Sequence, residues 1–375
     1  MLLVAALAWA TLQMGRFVLP PLLPEIRADL GLTLGQTGVV LTVLQAVYAT
    51  FQYPSGRLSD RLSRATLIVP GLGVLALAFL LVGSATTYPL LVLGTAVLGL
   101  GKGLYAIPSR ALLSDLFVER RGRALGLFSA GTDLGGLVAS VLSVLVIQYA
   151  TWRTPFFPVA ALLGLLAVLF VLWSREPYAI ARADLEVAAT LRRLLATRRQ
   201  RWTLVAYALF FFMVNGVINF LPTYLRTAKG LSPTLASTAF ALLFVIGLAI
   251  KPVSGALSDR FPRRLVSTGG MLLAAGALGV VVLAGSLVAL ALATAAFAVG
   301  YKSQFPVVDA ILMDAAPDDN MGGDLGAARA LFLGIGSLGP AYVGVVAQVA
   351  DYTTAFAGLV GCLVVAAGII ARQGR

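Results

Sequence analysis

Apolar run length constrains this chain more than any other feature. Twelve stretches, roughly 2–24, 35–56, 65–84, 88–110, 124–147, 154–173, 202–225, 235–256, 265–285, 287–309, 325–348 and 353–371, are apolar nearly throughout. Each is about the 20 residues that one helix needs to cross a hydrocarbon core. Gly and Pro interrupt several runs, which membrane helices tolerate. A β-barrel would alternate apolar and polar residues, and these runs do not. Only 12% of the 375 residues are charged, against about 25% in a soluble domain. The expected fold is therefore an all-α membrane protein of twelve transmembrane helices. The first run opens at Leu2 with no basic stretch before it and no clear small-residue cleavage site. It reads as a retained helix, not a signal peptide.

A net charge of +12 would suggest nucleic acid in a soluble protein, but the placement of the charges excludes that partner. With the N-terminus in the cytoplasm, loops 57–64, 111–123, 174–201 and 257–264 face inward and hold sixteen arginines. The outward loops hold Arg27, Arg153, Arg226 and Lys229. That asymmetry is the positive-inside rule, and basic inner loops suit anionic membrane lipid. One cysteine, Cys362, and no histidine leave no disulfide, zinc site or haem motif, so no metal and no cofactor are expected. Without His, a nucleophile–base pair or a phosphate loop, an enzyme is not expected either.

The chain also repeats itself. "GRLSDRLSR" (56–64) and "GALSDRFPRR" (255–264) align at a shift of 199, which also places Met14 on Met213, Gly31-Leu32 on Gly230-Leu231 and Asp115 on Asp314. The register holds for about a hundred residues and slips where "APDDNMGGDLG" is longer than its partner "VERRGRALG". The chain thus divides into a six-helix bundle over 1–173, a basic cytoplasmic linker over 174–201 with helical period, and a second six-helix bundle over 202–375. Parallel repeats of this kind occur in secondary transporters.

The doubled G-x-x-x-D-R resembles the signature loop of the major facilitator superfamily. Ser63 and Pro262 stand where that loop has its second glycine, and Arg64 and Arg263 keep the basic residue that follows. "ERRGRALG" (119–126) resembles the family's loop between helices 4 and 5. The resemblance covers the whole chain and implies two parallel six-helix halves, transport activity and a monomer. It also implies that Gly56, Asp60, Arg61, Arg64 and Asp115, with Gly255, Asp259, Arg260, Arg263 and Asp314, form a conformational latch. Gly56 and Gly255 would let a neighbouring backbone come close, and Asp60 and Asp259 would cap a helix.

Ionisable residues at membrane depth are costly and point to function. Lys102 and Lys302 fall near mid-run, and Arg16 falls in the middle to outer half of its run. Arg110, Lys251 and Arg329 lie within about two turns of run ends, near enough to snorkel. The resemblance implies that runs 1, 4, 7 and 10 line a central cavity. Arg16, Lys102 and Lys302 are then candidate substrate ligands, with Asn215, Asn219, Gln304, Tyr105 and Tyr301 as neutral donors. The amides could instead tie helices together. Asp133 lies well inside run 5, where it either neutralises Lys102 or carries a proton; Asp309, near the inner end of run 10, is a second candidate. Related drug–proton antiporters carry an arginine where Thr95 stands, and G-P-x-x-G-G where this chain has Gly131-Thr132-Asp133-Leu134-Gly135-Gly136. The expected function is secondary transport of a small organic or inorganic anion, with proton coupling and either direction of flux left open. The alternative is proton-driven drug or metabolite efflux, and a sensor without transport is the third reading. The charge asymmetry predicts that protease reaches residues 174–201 in inverted membrane vesicles and not in sealed right-side-out ones; cleavage from the outer side reverses the orientation.

Overall fold

The computed structural model describes residues 1–174, 187–315 and 321–373, with backbone alone at residues 60, 188, 189, 309, 312–315 and 321–325. The described residues form α1 (Leu2–Leu30), α2 (Leu34–Arg61), α3 (Arg64–Gly83), α4 (Tyr88–Leu116), α5 (Arg121–Tyr149), α6 (Phe156–Trp173) and the short α7 (Val187–Leu194). They continue as α8 (Arg198–Thr227), α9 (Pro233–Arg260), α10 (Arg263–Leu283), α11 (Leu287–Lys302), α12 (Gln304–Ala315), α13 (Met321–Gly336), α14 (Gly339–Val349) and α15 (Tyr352–Arg372). Twelve membrane-length spans result, with α11–α12 and α13–α14 each making one span from two helices. Among the described residues there are no strands. In the 174–201 segment, residues 175–186 lie outside the described residues, and α7 packs on α13.

Two compact units emerge. Unit 1 comprises Met1–Leu32 and Val43–Glu186; unit 2 comprises Thr33–Thr42 and Val187–Arg375. In unit 1, α1 packs on α5 and α6, and α3 packs on α4 and α6. Unit 2 repeats each pairing: α8 on α13–α14 and α15, and α10 on α11 and α15. The repeat reaches the backbone. Gly31 and Gly230 both end a helix with positive φ, 62° and 67°, a conformation that glycine adopts without a Cβ penalty. Residues 33–42 join unit 2 because α2 begins against α14: the Ala341 N–H donates to Thr42 Oγ1 at 3.0 Å and the Gly35 N–H to Gln348 Oε1 at 2.9 Å.

The repeat fails at two prolines. Run 10 was expected to be one helix, but it breaks at Ser303; run 11 breaks at Ser337-Leu338. Proline has no N–H to give the carbonyl four residues back. Pro306 therefore cannot donate to the Lys302 carbonyl, nor Pro340 to that of Gly336. α4 and α5, the counterparts in unit 1, run unbroken.

Polar ends of helices are closed by side chains. Ser63 caps α3, accepting from the Thr66 N–H, and Pro262 occupies the same cap position before α10 with φ −54°. Those are the two departures from the signature loop, and both open the next helix. At the far ends of α3 and α10, the equivalent carbonyls Ala85 O and Ala284 O each accept from a cation. Arg153 serves the first at 2.8 Å, and Lys229 the second at 2.9 Å. Burial pushes the Lys229 ammonium below its ordinary range.

Helices meet through glycine, as small residues allow in membranes. A Cβ on Gly135 would lie 2.5 Å from Ala10 O and 2.9 Å from Met14 N, because α5 crosses α1 there. A Cβ on Gly99 would strike Leu44 O, and one on Gly300 would come within 2.6 Å of Gly270 O. Gly56 and Gly255 were expected to serve this role. They do not within their own units: an added Cβ would meet only Ile107 at 4.0 Å and Pro306 at 3.9 Å. Gly135→Ala should lower stability by about 1–3 kcal/mol through overpacking and reduce the melting temperature in detergent. Gly164→Ala, whose Cβ meets nothing within 4 Å, should leave the melting temperature unchanged.

Candidate functional site

Five intramembrane cations, Arg16, Lys102, Arg110, Lys251 and Lys302, lie near aromatic rings. In unit 1 the Lys102 ammonium is 3.8 Å from the Tyr48 ring centroid and only 4% exposed. Arg110 lies 5.4 Å from the Trp9 ring and 5.7 Å from Phe128, which stack on each other at 5.2 Å. Arg16 lies 4.6 Å from its neighbour Phe17. In unit 2 Lys302 lies 4.7 Å from Phe244 and 5.2 Å from Tyr301, and Lys251 lies 5.6 Å from Phe305. A ring face attracts a cation by about 2 kcal/mol when water is excluded. Arg110 and Lys251, read from sequence as able to snorkel, instead rest on rings inside their bundles.

Lys102 has no carboxylate partner among the described residues. The side chains that act on its charge are Arg16 and Arg110, both cationic. Asp133 is 1% exposed on α5 and forms no ion pair with Lys102. Two turns of helix separate the cations along α4, and Arg16 approaches from α1, so unit 1 concentrates positive charge. Lys302 ends α11 at the Ser303 break. The negative end of the helix dipole favours a cation there.

The neutral donors are engaged within their own units. The Tyr105 hydroxyl donates to Ala5 O at 2.7 Å, tying α4 to α1. The Asn215 amide donates to Gly336 O at 3.2 Å, the carbonyl that Pro340 deprives of its helical donor, and to Phe211 O at 3.0 Å. Asn219 donates to Asn215 O. Gln304 accepts from Ser267 at 2.8 Å and closes the break after Lys302. Tyr301 stacks on Phe297 at 5.0 Å. In the latch loops, Arg64 Nε pairs with Asp115 at 3.1 Å and its Nη1 donates to Ser59 at 2.8 Å. Arg263 donates to Ala310 O. Asp259, Arg61 and Arg260 are exposed, and no side-chain hydrogen bond caps α10. The side chains of Asp60, Asp309 and Asp314 lie outside the described residues.

Sequence reasoning missed the rings: Trp9, Tyr48, Phe128, Phe244 and Phe305. Their contacts depend on which helix faces which, and no spacing within one run reports that. The proline at 340 was the available signal for the role of Asn215, since an orphaned carbonyl needs a donor from a neighbouring helix.

The family model for the Major Facilitator Superfamily matches residues 5–340 and again 222–372, and the chain belongs to that superfamily. A probable sulfoacetate transporter, SauU, of Cupriavidus necator is 29% identical over 72% of this chain and 66% of its own length. The multidrug resistance protein MdtL of Citrobacter koseri is 28% identical over 68% of this chain and 66% of its own. The chain therefore spans just under two thirds of these curated relatives. Among solved structures, a bacterial homolog of the human lysosomal transporter Spinster, inward-facing and unoccupied, superposes with a TM-score of 0.84 at 18% identity, covering 100% of this chain and 96% of that one. That likeness is one of fold.

Asn215→Ala should cost about 1–3 kcal/mol, the penalty for stranding a buried carbonyl, read as a lower melting temperature. Lys102→Gln should leave the melting temperature unchanged or raise it, since no described carboxylate is stranded by its loss.

Proposed function

We propose that this protein is a secondary transporter that carries a small organic or inorganic anion across the cytoplasmic membrane by alternating access, coupled to protons. The termini and the 174–201 segment face the cytoplasm. Arg16, Lys102 and Lys302 hold the anion, with Asn215, Asn219, Gln304, Tyr105 and Tyr301 shaping and supporting the site. Asp133 and Asp309 are the carboxylates available for proton coupling, and the Gly56–Arg64 and Gly255–Arg263 loops, with Asp115 and Asp314, form the conformational latch. The protein works as a monomer in lipid.

Lys102 carries the reading. Removing an ammonium from water costs several kcal/mol even after relaxation. One ring offsets about 2 kcal/mol of that, while Arg16 and Arg110 add repulsion. A bound carboxylate, sulfonate or nitrate supplies the missing counter-charge. The likeness to a probable sulfoacetate transporter supports an anion with two charged ends. The likeness to MdtL supports the second reading, proton-driven drug or metabolite efflux. Thr95 and Thr132 depart from the arginine and proline that resemblance to drug antiporters would lead one to expect, which favours the anion.

Radiolabelled counterflow in proteoliposomes tests this against a panel of carboxylates, sulfonates and inorganic anions, with and without a pH gradient. Arg16→Lys should weaken uptake although charge is kept, because the planar fork is lost. Lys102→Gln and Lys302→Gln should each weaken apparent affinity by about 5- to 150-fold, the equivalent of about 1–3 kcal/mol. Normal anion transport by all three variants would overturn the anion site and leave efflux as the better account.

A further inference from the structure

α2 and α4 run parallel and close together in unit 1. Gly99 meets Leu44, Val47 and Tyr48; Gly103 meets Phe51; Gly56 faces Ile107. Next to this contact α2 carries a buried polar stripe below Tyr48: Gln52 is 2% exposed, Ser55 0% and Ser59 1%. α4 carries Lys102, Tyr105 and Ser109 at helical spacing, the last at 0% exposure. In a membrane helix such residues are expected to be paired, yet Gln52 Oε1 and Ser55 Oγ have no hydrogen-bond partner among the described residues.

The stripe has an end. Ser59 accepts from Arg64, which pairs with Asp115, and the Asp115 side chain is 57% exposed. Along a helix, the steps 48→52→55→59 are about 6, 4.5 and 6 Å at about 1.5 Å per residue. One water bonded on both sides spans about 5.5 Å, and buried waters sit where two to four polar partners converge. Two unpartnered side-chain oxygens one turn apart, with Tyr48 above them and Ser59 below, meet that condition.

We infer that the α2–α4 seam holds a file of water that conducts protons between Lys102 and the Ser59–Arg64–Asp115 cluster. The inference rests on Lys102 belonging to a proton-coupled anion site. When the anion leaves, an N–H bond of the ammonium breaks, the electron pair stays on nitrogen and the proton passes to the nearest water. It then moves by O–H bonds forming and breaking in turn, and leaves at Asp115; the waters are unchanged. The groups bearing on Lys102 are Arg16 from α1, Tyr48 from α2 and Arg110 of α4; the buried carboxyl of α5, Asp133, makes no ion pair with it. α3 brings no titratable group to that level, its one ionisable side chain being Arg64 at its first turn. The seam thus opens toward the aqueous end on the side of Lys102 away from Arg16.

Two measurements test it. X-ray-generated hydroxyl radicals arise from bound water itself, so S55C in the full-length protein should oxidise at least tenfold faster than A78C in α3. Ser55 and Ala78 are equally buried, at 0% exposure. Equal rates overturn the water file, whatever the transport data show. In proteoliposomes with a trapped pH dye, the panel anion that drives the fastest proton uptake in the wild type is then applied to the double variant Q52L/S55A. Its anion exchange without a pH gradient should stay within twofold of wild type, and its proton uptake should fall at least tenfold. Undiminished proton uptake in the variant overturns the seam alone. No proton uptake in the wild type with any anion overturns the coupled reading itself.

Discussion

Hydrocarbon offers no hydrogen bonds, so every backbone N–H and C=O inside the membrane must be met by protein. The architecture follows from that constraint. Twelve spans satisfy it by helical bonding, and glycines such as Gly99, Gly135 and Gly300 bring the satisfied cylinders into contact. Where proline breaks the ladder at Gly336, the neighbouring Asn215 supplies the bond, and beside the break after Lys302 Gln304 bonds to both Ser267 and Ser303. Where a helix ends, a cation or hydroxyl closes it, as Arg153 and Lys229 do at Ala85 and Ala284.

The same scarcity of partners explains the cations. A carboxylate beside Lys102 would neutralise it permanently, and then nothing would distinguish an occupied site from an empty one. Tyr48 gives partial relief and leaves charge to spare. Lys302 differs, since it has two rings and the end of a helix. The two lysines hold nearly equivalent places in the repeat but not the same environment.

Span number, repeat register and the basic loops were legible in the sequence because each is a one-dimensional pattern: run length, a shift of 199, and arginine placement. Gly31 and Gly230 are the clearest instance, identical in sequence and in backbone angle. The site was legible only as a set of charges. That Lys102 faces Tyr48 and not Asp133 depends on helix rotation, which apolar residues on all sides of a membrane helix leave unspecified. Asn215 was ambiguous for a related reason. An amide in a mid-membrane run fits a substrate or an orphaned carbonyl equally well, and only the neighbouring helix decides. Pro306 and Pro340 are plain in the sequence, but membrane helices often keep proline without breaking, as α4 does at Pro108.

The two broken spans both belong to unit 2, while their duplicates in unit 1 are continuous. A rod and a rod with a joint respond differently to the same force. Pulling on Lys302 tugs at the joint itself, whereas pulling on Lys102 loads an uninterrupted column. Duplication therefore produced two bundles of one plan and unequal stiffness.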